Sequence, residues 1–563
     1  MKHKKVNTLR VFASLLFVHF CLFVLNAQTM DELSRSRGML KTRGEVIIRF
    51  IRPATLSMDE LTRNLSIDKR KGDTLTAYAN EKQFNWFIAR KIPFDVLTPR
   101  SVANSAKDHR KSTASSLDAY PAYSEYLQMM ESFAADYPDR CVLQEFGTSV
   151  NGRKLLAVKI SDNPAIHEAE PAFLYTSTIH GDEGTGYMLM LRLIDSLLNA
   201  YNTNEVIKEL IDNTEIWINP IFNPDGFYFA SESLSLNSTR YNANHADLNR
   251  NFPDALAGDH PDAMDWQPET VAMMNFMKQH PFVLAANLHD GAELVNYPWD
   301  NRSARHADDS WYVQLSRQFA DTVHVYSPAG FFTDEYNGIT NGSDWYVVYG
   351  GRQDYVNYFL HGREVTMELS HVKSVDPSEF PAFWNHYKKS LIGYMQQIHP
   401  GIHGTVTDAA TGEPLKAMIE IPGHDRDSSQ VFSSAETGEF YRLLPAGNYT
   451  FTITSSGYSS QNIEFSLTAN ETREMIITLL PAARELSCFP IPFTHTLTFL
   501  LPDDSANDLY LTFTDMAGRI IINVILPGVE GYASLTKLDG LARGVYLVKI
   551  RYGSLVDEMK VVK

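Results

Sequence analysis

Between residues 118 and 400, the sequence alternates apolar, strand-like runs with helical stretches. Four of these runs, at 172–179, 215–218, 282–288 and 363–369, end in or are directly followed by polar residues rich in His, Asn, Glu or Arg. The alternation predicts an α/β fold: a mixed, largely parallel sheet with helices on both faces. Ligands of such sheets bind beyond the carboxyl ends of the strands, so we expect these polar residues to share one site.

The segments on either side of this domain follow other patterns. Strand-like and helix-like stretches within residues 28–98 predict a small α+β module, and the polar, partly basic residues 99–117 predict an exposed linker. Residues 401–480 and 485–563 consist of short alternating runs separated by Gly, Pro, Asn and Asp, which predicts two β-sandwiches. The sequence leaves open whether the N-terminal module is an inhibitory propeptide, a folding aid or a binding domain.

Residues 1–27 have the layout of a secretory signal peptide. Lys and Arg residues precede an apolar stretch over 11–25, and the small Ala27 follows before a polar segment. The alternative is a membrane anchor, but this stretch, which His19 interrupts, is short for a span of about 20 residues. No later run is apolar enough to cross a bilayer. We therefore expect export with cleavage near Ala27, and no transmembrane segment in the mature chain.

Two features of the composition exclude classes of protein. The 563 residues include 50 Lys and Arg against 67 Asp and Glu, a net charge of −17, whereas a general nucleic-acid-binding protein needs clustered basic residues. Three cysteines are too few for a dense disulfide scaffold. Cys21 lies in the predicted signal peptide, and Cys141 and Cys488 lie in different predicted domains, so we expect the last two to be free thiols.

A candidate metal site begins with His180 and Glu183, which form an H-x-x-E motif directly after the first of the four runs. The motif is weak by itself, because two further copies occur that we interpret as solvent-exposed or structural pairs. These copies are His167/Glu170 and His361/Glu364. The His180/Glu183 pair differs from these copies because the turn GDEGTG follows His180 and can direct the side chains of His180 and Glu183 to one point. A catalytic zinc ion has three protein ligands and one open position, and His289, which follows the third run, is the candidate third ligand.

A longer series of motifs accompanies these three residues. In chain order it comprises NPDG at 223–226, Arg240, DLNRNFP at 247–253, HDGAELVNYPWD at 289–300, Trp345 with Tyr346, and VTMELS at 365–370. The series resembles the zinc metallocarboxypeptidases related to pancreatic carboxypeptidases A and B, and more closely their regulatory branch, typified by carboxypeptidases D, E and N. The resemblance covers about 118–400. Residues 401–480 look like the transthyretin-like sandwich that follows the catalytic domain in that branch.

The resemblance implies a set of roles at the metal. His180, Glu183 and His289 would bind one zinc ion, and Asp247 would hydrogen-bond a zinc-bound imidazole. Glu368 would act as general base and acid. Such a role is physically reasonable, because a carboxylate beside a zinc-bound water can take its proton and pass it to the leaving amine.

The resemblance also implies the substrate contacts. Arg240 would polarise the scissile carbonyl and stabilise the oxyanion. Asn249, Arg250 and Tyr346 would hold the terminal carboxylate of the substrate. This task suits Arg, whose guanidinium forms bidentate, charge-assisted bonds to a carboxylate. An endopeptidase has no use for such a contact, so action at a free C-terminus is implied.

The same resemblance places Asp300 at the floor of the specificity pocket and Gln353 on its wall. An acidic floor attracts a C-terminal Lys or Arg and disfavours an apolar side chain that would bury the charge unpaired. The alternative is that Asp300 only caps a loop. The sequence departs from the branch at Asp290, where Gly is usual, and we expect Glu293 and Arg352 to add charges near the funnel.

Residues 485–563 resemble the C-terminal sorting domain of proteins exported by the type IX secretion system of Gram-negative bacteria. The matching segments are FPIPF at 489–493, DMAGR at 515–519, LARGVYLV at 541–548 and KVVK at 560–563. The resemblance implies passage through the periplasm, followed by release or surface attachment, with the secretion machinery as a partner. The alternative is a structural or carbohydrate-binding module.

These patterns together predict a secreted or surface-attached zinc metallocarboxypeptidase of a Gram-negative bacterium. It would hydrolyse the C-terminal peptide bond of peptides and proteins, with a preference for C-terminal Lys or Arg. Two alternatives stay open: a related zinc amidase that acts on cell-wall peptides, and a non-catalytic surface-binding protein on the same fold.

Overall fold

The computed structural model describes residues 30–99, 117–232, 238–409, 411–482, 486–502, 506–529 and 531–563. The predicted signal peptide and all but the ends of the predicted linker lie outside these residues. Within them, no helix is both long and apolar enough to cross a membrane. Cys141 and Cys488 are free thiols, as expected.

A small α+β module precedes the main domain. Its strands are β1 (Val46–Ile51), β2 (Ser66–Lys71), β3 (Thr74–Ala79) and β4 (Phe94–Leu97), which form an antiparallel sheet in the order β2-β3-β1-β4. Helical segments cover 30–43, Met58–Thr62 and Glu81–Ile88. The side chains of Ser57 and Asn80 cap the last two helices by accepting backbone N–H groups. The register between β2 and β3 shifts between Ile67 and Lys69, so that Asp68 is left out of it.

The main domain is built on an eight-stranded mixed sheet. Its strands are β5 (Cys141–Thr148), β6 (Lys154–Ile160), β7 (Ala172–Ser177), β8 (Glu215–Asn219), β9 (Phe282–His289), β10 (Glu293–Tyr297), β11 (Ile339–Asn341) and β12 (Arg363–Leu369). Their order is β11-β10-β12-β9-β7-β8-β6-β5, with β8, β7, β9 and β12 parallel at the centre. β10 pairs antiparallel to β12, and β6 pairs antiparallel to β8 and β5. The predicted mixed, largely parallel sheet is confirmed.

Helices cover both faces of this sheet, as predicted. They are Tyr123–Asp136, Thr185–Ala200, Glu205–Asp212, Pro224–Phe227, Pro268–Gln279, Asp309–Tyr326, Asp334–Asn337, Gly342–Trp345, Arg352–Phe359 and Phe380–Gln396, with 3-10 turns at Leu248–Arg250 and Pro377–Glu379. Alternate residues of β7 enter two separate apolar cores: Phe173 and Tyr175 lie in one, and Ala172 and Leu174 in the other. The sheet is therefore buried on both faces, which explains its continuous apolar strands.

Two β-sandwiches follow, as predicted. The first has β13 (Gly401–Asp408), β14 (Met418–Glu420), β15 (Val431–Phe432), β16 (Glu439–Leu443), β17 (Gly447–Thr454), β18 (Gln461–Leu467) and β19 (Thr472–Leu479), in sheets β16-β13-β19 and β15-β14-β17-β18. The second has β20 (Ser487–Phe489), β21 (Leu497–Leu500), β22 (Asn507–Asp515), β23 (Ile520–Val529), β24 (Tyr532–Leu535), β25 (Val545–Tyr552) and β26 (Leu555–Val562), in sheets β20-β21-β24 and β23-β22-β25-β26. Each encloses its own apolar core.

A buried ionic cluster joins the main domain to the first sandwich. Both oxygens of Asp308 accept hydrogen bonds from Arg442, at 2.7 and 3.0 Å, and Arg363 donates to the same carboxylate at 2.9 Å. Arg442 also contacts Asp425 at 2.7 Å. Burial opposes the charge of Asp308, but Arg442 and Arg363 hold its pKa well below the usual value. The two domains therefore share a buried, charged junction.

Candidate metal centre and active site

The residues predicted to share a site lie together at one edge of the central sheet. His180 follows β7, His289 is the last residue of β9, and Glu368 lies near the end of β12. β9 and β12 pair in parallel, with His289 directly opposite Glu368. The carboxyl ends of adjacent parallel strands meet at one edge, and this topology brings the three side chains together.

Two imidazoles and one carboxylate converge in a buried position. His180 Nδ1 lies 2.9 Å from Glu183 Oε1, and His289 Nδ1 lies 2.8 Å from Glu183 Oε2. Each residue offers one ligand atom, and these atoms lie within 4.8 Å of one another. None of the three is more than 3% exposed. Two nitrogen donors and one oxygen donor with a position left open are a set that zinc accepts, so these residues fit a zinc ion.

The ionisation of this group also suits a metal. Burial lowers the pKa of His289 to about 4, so its imidazole is neutral at pH 7, which is the form that binds metals. Burial opposes the charge of Glu183, but His180 and Lys373 hold the pKa of this carboxyl well below its usual value. The group therefore combines a neutral imidazole with a carboxylate.

The turn that carries His180 is held by the NPDG turn at 223–226. A Cβ at Gly181 would lie 2.3 Å from the carbonyl carbon of Gly226, so only glycine allows this approach. The side chain of Asn223 donates to the carbonyl of Ile179 at 3.3 Å. The NPDG turn therefore fixes the position of the turn that carries His180 and Glu183.

Further polar side chains orient the two imidazoles. Asp247 Oδ1 lies 3.1 Å from His180 Nε2, and its Oδ2 accepts from Arg240 Nε at 3.1 Å. Burial opposes the charge of Asp247, but Arg240 and His180 hold its pKa well below the usual value. The outer nitrogen of His289 lies 2.8 Å from the side-chain amide of Asn287. Such contacts fix the orientation of metal-binding imidazoles.

Glu368 lies beside this group and is 8% exposed. Its Oε2 is buried and makes no hydrogen bond within the described part of the chain. Burial, together with the charges of Glu183 and Asp290, raises the pKa of Glu368 well above its usual value. A bound divalent cation would act in the opposite direction. A carboxyl group with a perturbed pKa beside a metal site is suited to proton transfer.

The guanidinium of Arg240 also approaches the metal-binding residues. Its Nη1 lies 3.6 Å from Glu183 Oε1, and its side chain is 4% exposed. Its backbone N–H donates to Glu45 Oε2, a residue of the N-terminal module, at 2.9 Å. The guanidinium is thus fixed by Asp247 and directed toward the metal ligands.

The three residues predicted to hold a carboxylate come from two loops. Asn249 and Arg250 lie at the 3-10 turn, where Arg250 Nη1 donates to the Asn249 carbonyl at 2.8 Å. Arg250 Nε is buried and has no hydrogen-bond partner among the described residues. Burial raises the pKa of Tyr346, and the charge of Arg250 opposes this shift. An unsatisfied guanidinium nitrogen is suited to an incoming anion.

Asp300 and Gln353 are brought into contact. Asp300 Oδ1 accepts from Gln353 Nε2 at 3.1 Å and from Asn296 Nδ2 at 2.9 Å. A Cβ at Gly342 would lie 1.8 Å from the same oxygen, so this wall of the pocket requires glycine. Burial raises the pKa of Asp300 to about 6, and the Asn296 hydrogen bond opposes the rise. Asp300 thus has amide partners and no cation paired directly with it in the described structure.

The additional charged residues expected near the funnel each have hydrogen-bond partners in the protein. Arg352 is fully buried and forms two hydrogen bonds to Glu364, at 3.0 and 2.9 Å, so the expectation that it adds charge to the funnel is wrong. Glu293 accepts from the backbone of Phe332 at 2.8 Å. Asp290 Oδ2 accepts from the backbone N–H of Thr185 at 3.0 Å, at the start of a helix. Asp290 therefore supports the helix that follows the metal-binding turn.

Two charged residues of the site have no counterpart among the sequence predictions. Lys373 Nζ lies 3.2 Å from Glu183 Oε1 and 2.7 Å from Asp68 Oδ1. Lys373 is five residues beyond Glu368, on the loop that follows the same strand, and that position is a signal that sequence reasoning can use. Asp68 belongs to the N-terminal module, and nothing in the sequence connects it with the main domain.

Comparison with protein families gives two matches in chain order. The model for zinc carboxypeptidases matches residues 126–390, and the model for the carboxypeptidase regulatory-like domain matches residues 401–480. With the buried group of His180, Glu183 and His289, the first match confirms the prediction of zinc.

Curated relatives support the same assignment. The chain is 37% identical over 345 residues to carboxypeptidase D of Homo sapiens, covering 59% of this chain and 24% of that protein. It is 37% identical over 346 residues to carboxypeptidase M of Mus musculus, covering 59% and 77%. It is 34% identical over 397 residues to carboxypeptidase E of Caenorhabditis elegans, covering 62% and 84%. The chain thus spans about a quarter of the length of the carboxypeptidase D relatives it matches.

Solved structures with a similar fold include carboxypeptidase A from Helicoverpa armigera, at 18% identity and a TM-score of 0.48, covering 62% of this chain and 98% of that one. Thrombin activatable fibrinolysis inhibitor matches at 16% identity and the same TM-score, with the same coverage.

Proposed function

We propose, from the premise that the chain belongs to the zinc carboxypeptidase family, that it hydrolyses the last peptide bond of peptides and proteins. The observation that carries this proposal is the convergence of two imidazoles and a carboxylate beside the unpartnered oxygen of Glu368. His180, Glu183 and His289 would hold the zinc.

The chemistry divides between the metal and the side chains. When bound, zinc lowers the pKa of a coordinated water toward about 7 and acts as a Lewis acid. Glu368 takes a proton from the attacking water and returns it to the leaving amine, which suits a carboxyl with a raised pKa. Arg240, held by Asp247, donates to the carbonyl oxygen as negative charge develops on it.

Restriction to a free C-terminus follows from the residues beside this centre. Arg250 offers a buried Nε without a partner among the described residues, and Asn249 and Tyr346 lie in the loops next to it. A terminal carboxylate would satisfy this donor, whereas an internal peptide bond brings no charge to it.

We further propose a preference for C-terminal Lys or Arg. Asp300 has amide partners, from Gln353 and Asn296, and burial raises its pKa. A cationic side chain in this pocket would supply the counter-charge that favours the ionised form.

Export is a separate proposal. It is supported by the signal-like residues 1–27 and by the sorting-domain motifs within residues 485–563. Secretion by a type IX system, with release or attachment at the surface of a Gram-negative cell, accounts for both.

A panel of matched peptides tests the catalytic proposal. The full chain is incubated with peptides that end in Lys, Arg, Phe or Glu, and separately with cell-wall peptides, with zinc and after treatment with a chelator. We expect release of terminal Lys and Arg, loss of release after chelation, and recovery with zinc. Hydrolysis of cell-wall peptides without release from any of the four would favour the zinc amidase instead.

Glu368→Gln is the matching variant. It should reduce turnover by about 100- to 10,000-fold. Metal analysis should still find one zinc, because His180, Glu183 and His289 are unchanged. Normal turnover in this variant would refute the mechanism.

A further inference from the structure

Asp290 connects the loop after β12 with the turn that carries the metal ligand Glu183. Its Oδ2 accepts the backbone N–H of Thr185 at 3.0 Å and the backbone N–H of Ser374 at 3.3 Å. Thr185 is two residues beyond Glu183, and Ser374 lies in the loop that follows β12. Asp290 itself comes directly after His289, the last residue of β9. One oxygen atom therefore joins the turn, the end of β9 and the loop.

Ser374 makes a second connection between the turn and the loop. Its Oγ accepts the backbone N–H of Gly184 at 3.0 Å and donates to the carbonyl of Asp182 at 3.0 Å. These two residues flank Glu183 in the chain, so the hydroxyl contacts the backbone on both sides of this metal ligand. A Cβ at Gly184 would lie 2.7 Å from the same Oγ, so a larger residue there would displace the hydroxyl. The carboxylate and the hydroxyl together hold the turn against the loop.

The backbone of the loop adopts a conformation that depends on such contacts. Ser374 has a φ of +56°, in the left-handed region that residues other than glycine rarely adopt. A strained conformation of this kind persists where the surrounding structure fixes it, and such residues cluster at functional sites. The backbone N–H and the hydroxyl of Ser374 both take part in the contacts above, so these contacts hold the loop in this form.

The loop places Lys373 against the metal ligand. Lys373 directly precedes Ser374, and its Nζ lies 3.2 Å from Glu183 Oε1. The side chains of Lys373 and Glu183 are 10% and 2% exposed. The other oxygen of Glu183 lies 2.8 Å from His289 Nδ1. The position of the loop therefore affects where the Glu183 carboxylate lies relative to a second metal ligand.

We propose that Asp290 is a positioning residue for the zinc site, and that with Ser374 it forms a brace that fixes the Glu183 carboxylate for metal binding. The brace consists of the Asp290 carboxylate, the Ser374 hydroxyl and the backbone groups of the turn and the loop that they bond. Neither side chain is a metal ligand in this assignment. A site binds its metal more tightly when surrounding groups hold the ligands in place.

The contacts of Asp290 distinguish a brace from an effect of its charge. Oδ2 accepts both N–H groups, whereas Oδ1 is buried and has no hydrogen-bond partner among the described residues. An amide in the same orientation offers an oxygen at the position of Oδ2, and a methyl group offers no acceptor. Asp290→Asn and Asp290→Ala both remove the charge, but only the second removes the acceptor. The branch that the sequence resembles usually has glycine here, so this acceptor is a departure of this chain.

The test measures the zinc affinity of the full chain by competition with a chromogenic chelator, without any peptide. Asp290→Ala should weaken zinc binding about 10- to 100-fold, as the loss of groups that orient metal ligands does. Asp290→Asn should keep most of the affinity, because its amide oxygen accepts the same N–H groups. Denaturation of the metal-free chain checks that each variant is folded. Equal affinity of Asp290→Ala and the parent would overturn the proposal, and so would equal losses in the two variants.

Ser374→Ala is a second variant, and it decides the case if Asp290→Ala fails to fold. It removes the hydroxyl and keeps the backbone N–H, so zinc binding should weaken by a smaller factor. Ser378→Ala is the matched control, because the exposed Ser378 lies four residues further along and its hydroxyl donates to Asp376 at 2.7 Å. Equal zinc affinities of Ser374→Ala and Ser378→Ala would refute the brace.

The double variant with Asp290→Ala and Ser374→Ala tests whether the two side chains act together. Its loss of zinc affinity should be smaller than the product of the two single losses, because each single change already loosens the loop. A loss equal to the product would show two independent contacts and would contradict a shared brace.

This inference rests on the zinc site of the proposed function and is independent of its substrate. A parent chain that binds zinc but releases no terminal residue from any peptide would refute the proposed function, while the affinities of the variants would still decide on the brace. Release of terminal residues by the parent, together with unaltered zinc affinity in Asp290→Ala and Ser374→Ala, would refute the brace alone.

Discussion

Two regions join the main domain, and each contact is centred on a buried carboxylate between two cations. At the first sandwich, Asp308 is held by Arg442 and Arg363 at 2.7–3.0 Å and its side chain is 1% exposed. At the N-terminal module, Asp68 lies 2.7 Å from Lys373 and 3.7 Å from Arg240. In both cases burial opposes the charge, and the neighbouring cations lower the pKa of the carboxyl.

The difference lies in the cations. Arg442 and Arg363 belong to no site that we propose. Arg240 and Lys373 both approach the metal ligand Glu183, so Asp68 contacts cations of the proposed site. The same chemistry therefore joins one region to residues away from the proposed site and the other to residues within it.

Asp300 extends this comparison to a third carboxylate. Its side-chain partners are amides, and burial raises its pKa to about 6 rather than lowering it. We interpret it as a buried acid whose counter-charge arrives with the substrate.

The largest expected effect is at the joint with the first sandwich. Asp308→Ala leaves Arg363 buried without a counter-charge and Arg442 with Asp425 as its remaining carboxylate, and it should lower the free energy of unfolding by about 3–5 kcal/mol. Chemical denaturation measures this loss. Asp427→Asn, in a partly exposed pair with Arg302 across the same junction, is the control and should cost about 1 kcal/mol or less. Equal losses in the two variants would show that the buried position of Asp308 adds nothing to the stability of this junction.

The next effect concerns the third carboxylate. Asp300→Asn keeps the size of the side chain and removes its charge, so the ratio of kcat/KM for peptides ending in Arg and in Phe should fall about 10- to 100-fold. The Phe peptide serves as the internal control. An unchanged ratio would show that Asp300 only caps its loop.

The pH dependence separates Asp300 from Asp68. The pKa of Asp300 is raised to about 6, so its carboxyl becomes neutral as the pH falls through that value, and the Arg-over-Phe ratio should fall about tenfold between pH 8 and pH 5. The pKa of Asp68 is lowered, so its charge persists over this range. An Arg-over-Phe ratio that stays constant between pH 8 and pH 5 would contradict the role of Asp300.

Much of the main domain could be predicted from the sequence. Apolar runs ended by His180, His289 and Glu368 predicted both the sheet and the edge at which these side chains meet. The two sandwiches followed from short alternating runs between turn residues. These features are local, since strand periodicity and strand ends depend on neighbouring residues.

Other parts of the site could not be predicted in this way. In the sequence, Arg352 directly follows a loop that we expected to line the funnel. Its side chain instead lies in the core, where it forms a buried ion pair with Glu364. Asn287 lies two residues before His289 on β9, so the strand period places both side chains on one face, and the structure adds that the Asn287 amide meets the outer nitrogen of His289. The position of Arg352 depends on which neighbour a side chain meets across the fold.

The sequence by itself determined the order of the domains, the class of the sheet and the metal-binding group, because these follow from local periodicity and from the polar residues at the ends of strands. Only the tertiary structure decided where the N-terminal module meets the main domain. The contact of Asp68 with Lys373 and Arg240 joins residues from three distant segments, and no periodicity in any one of them records it. A contact of this kind arises from the fit of two surfaces, which exists only once both domains have folded.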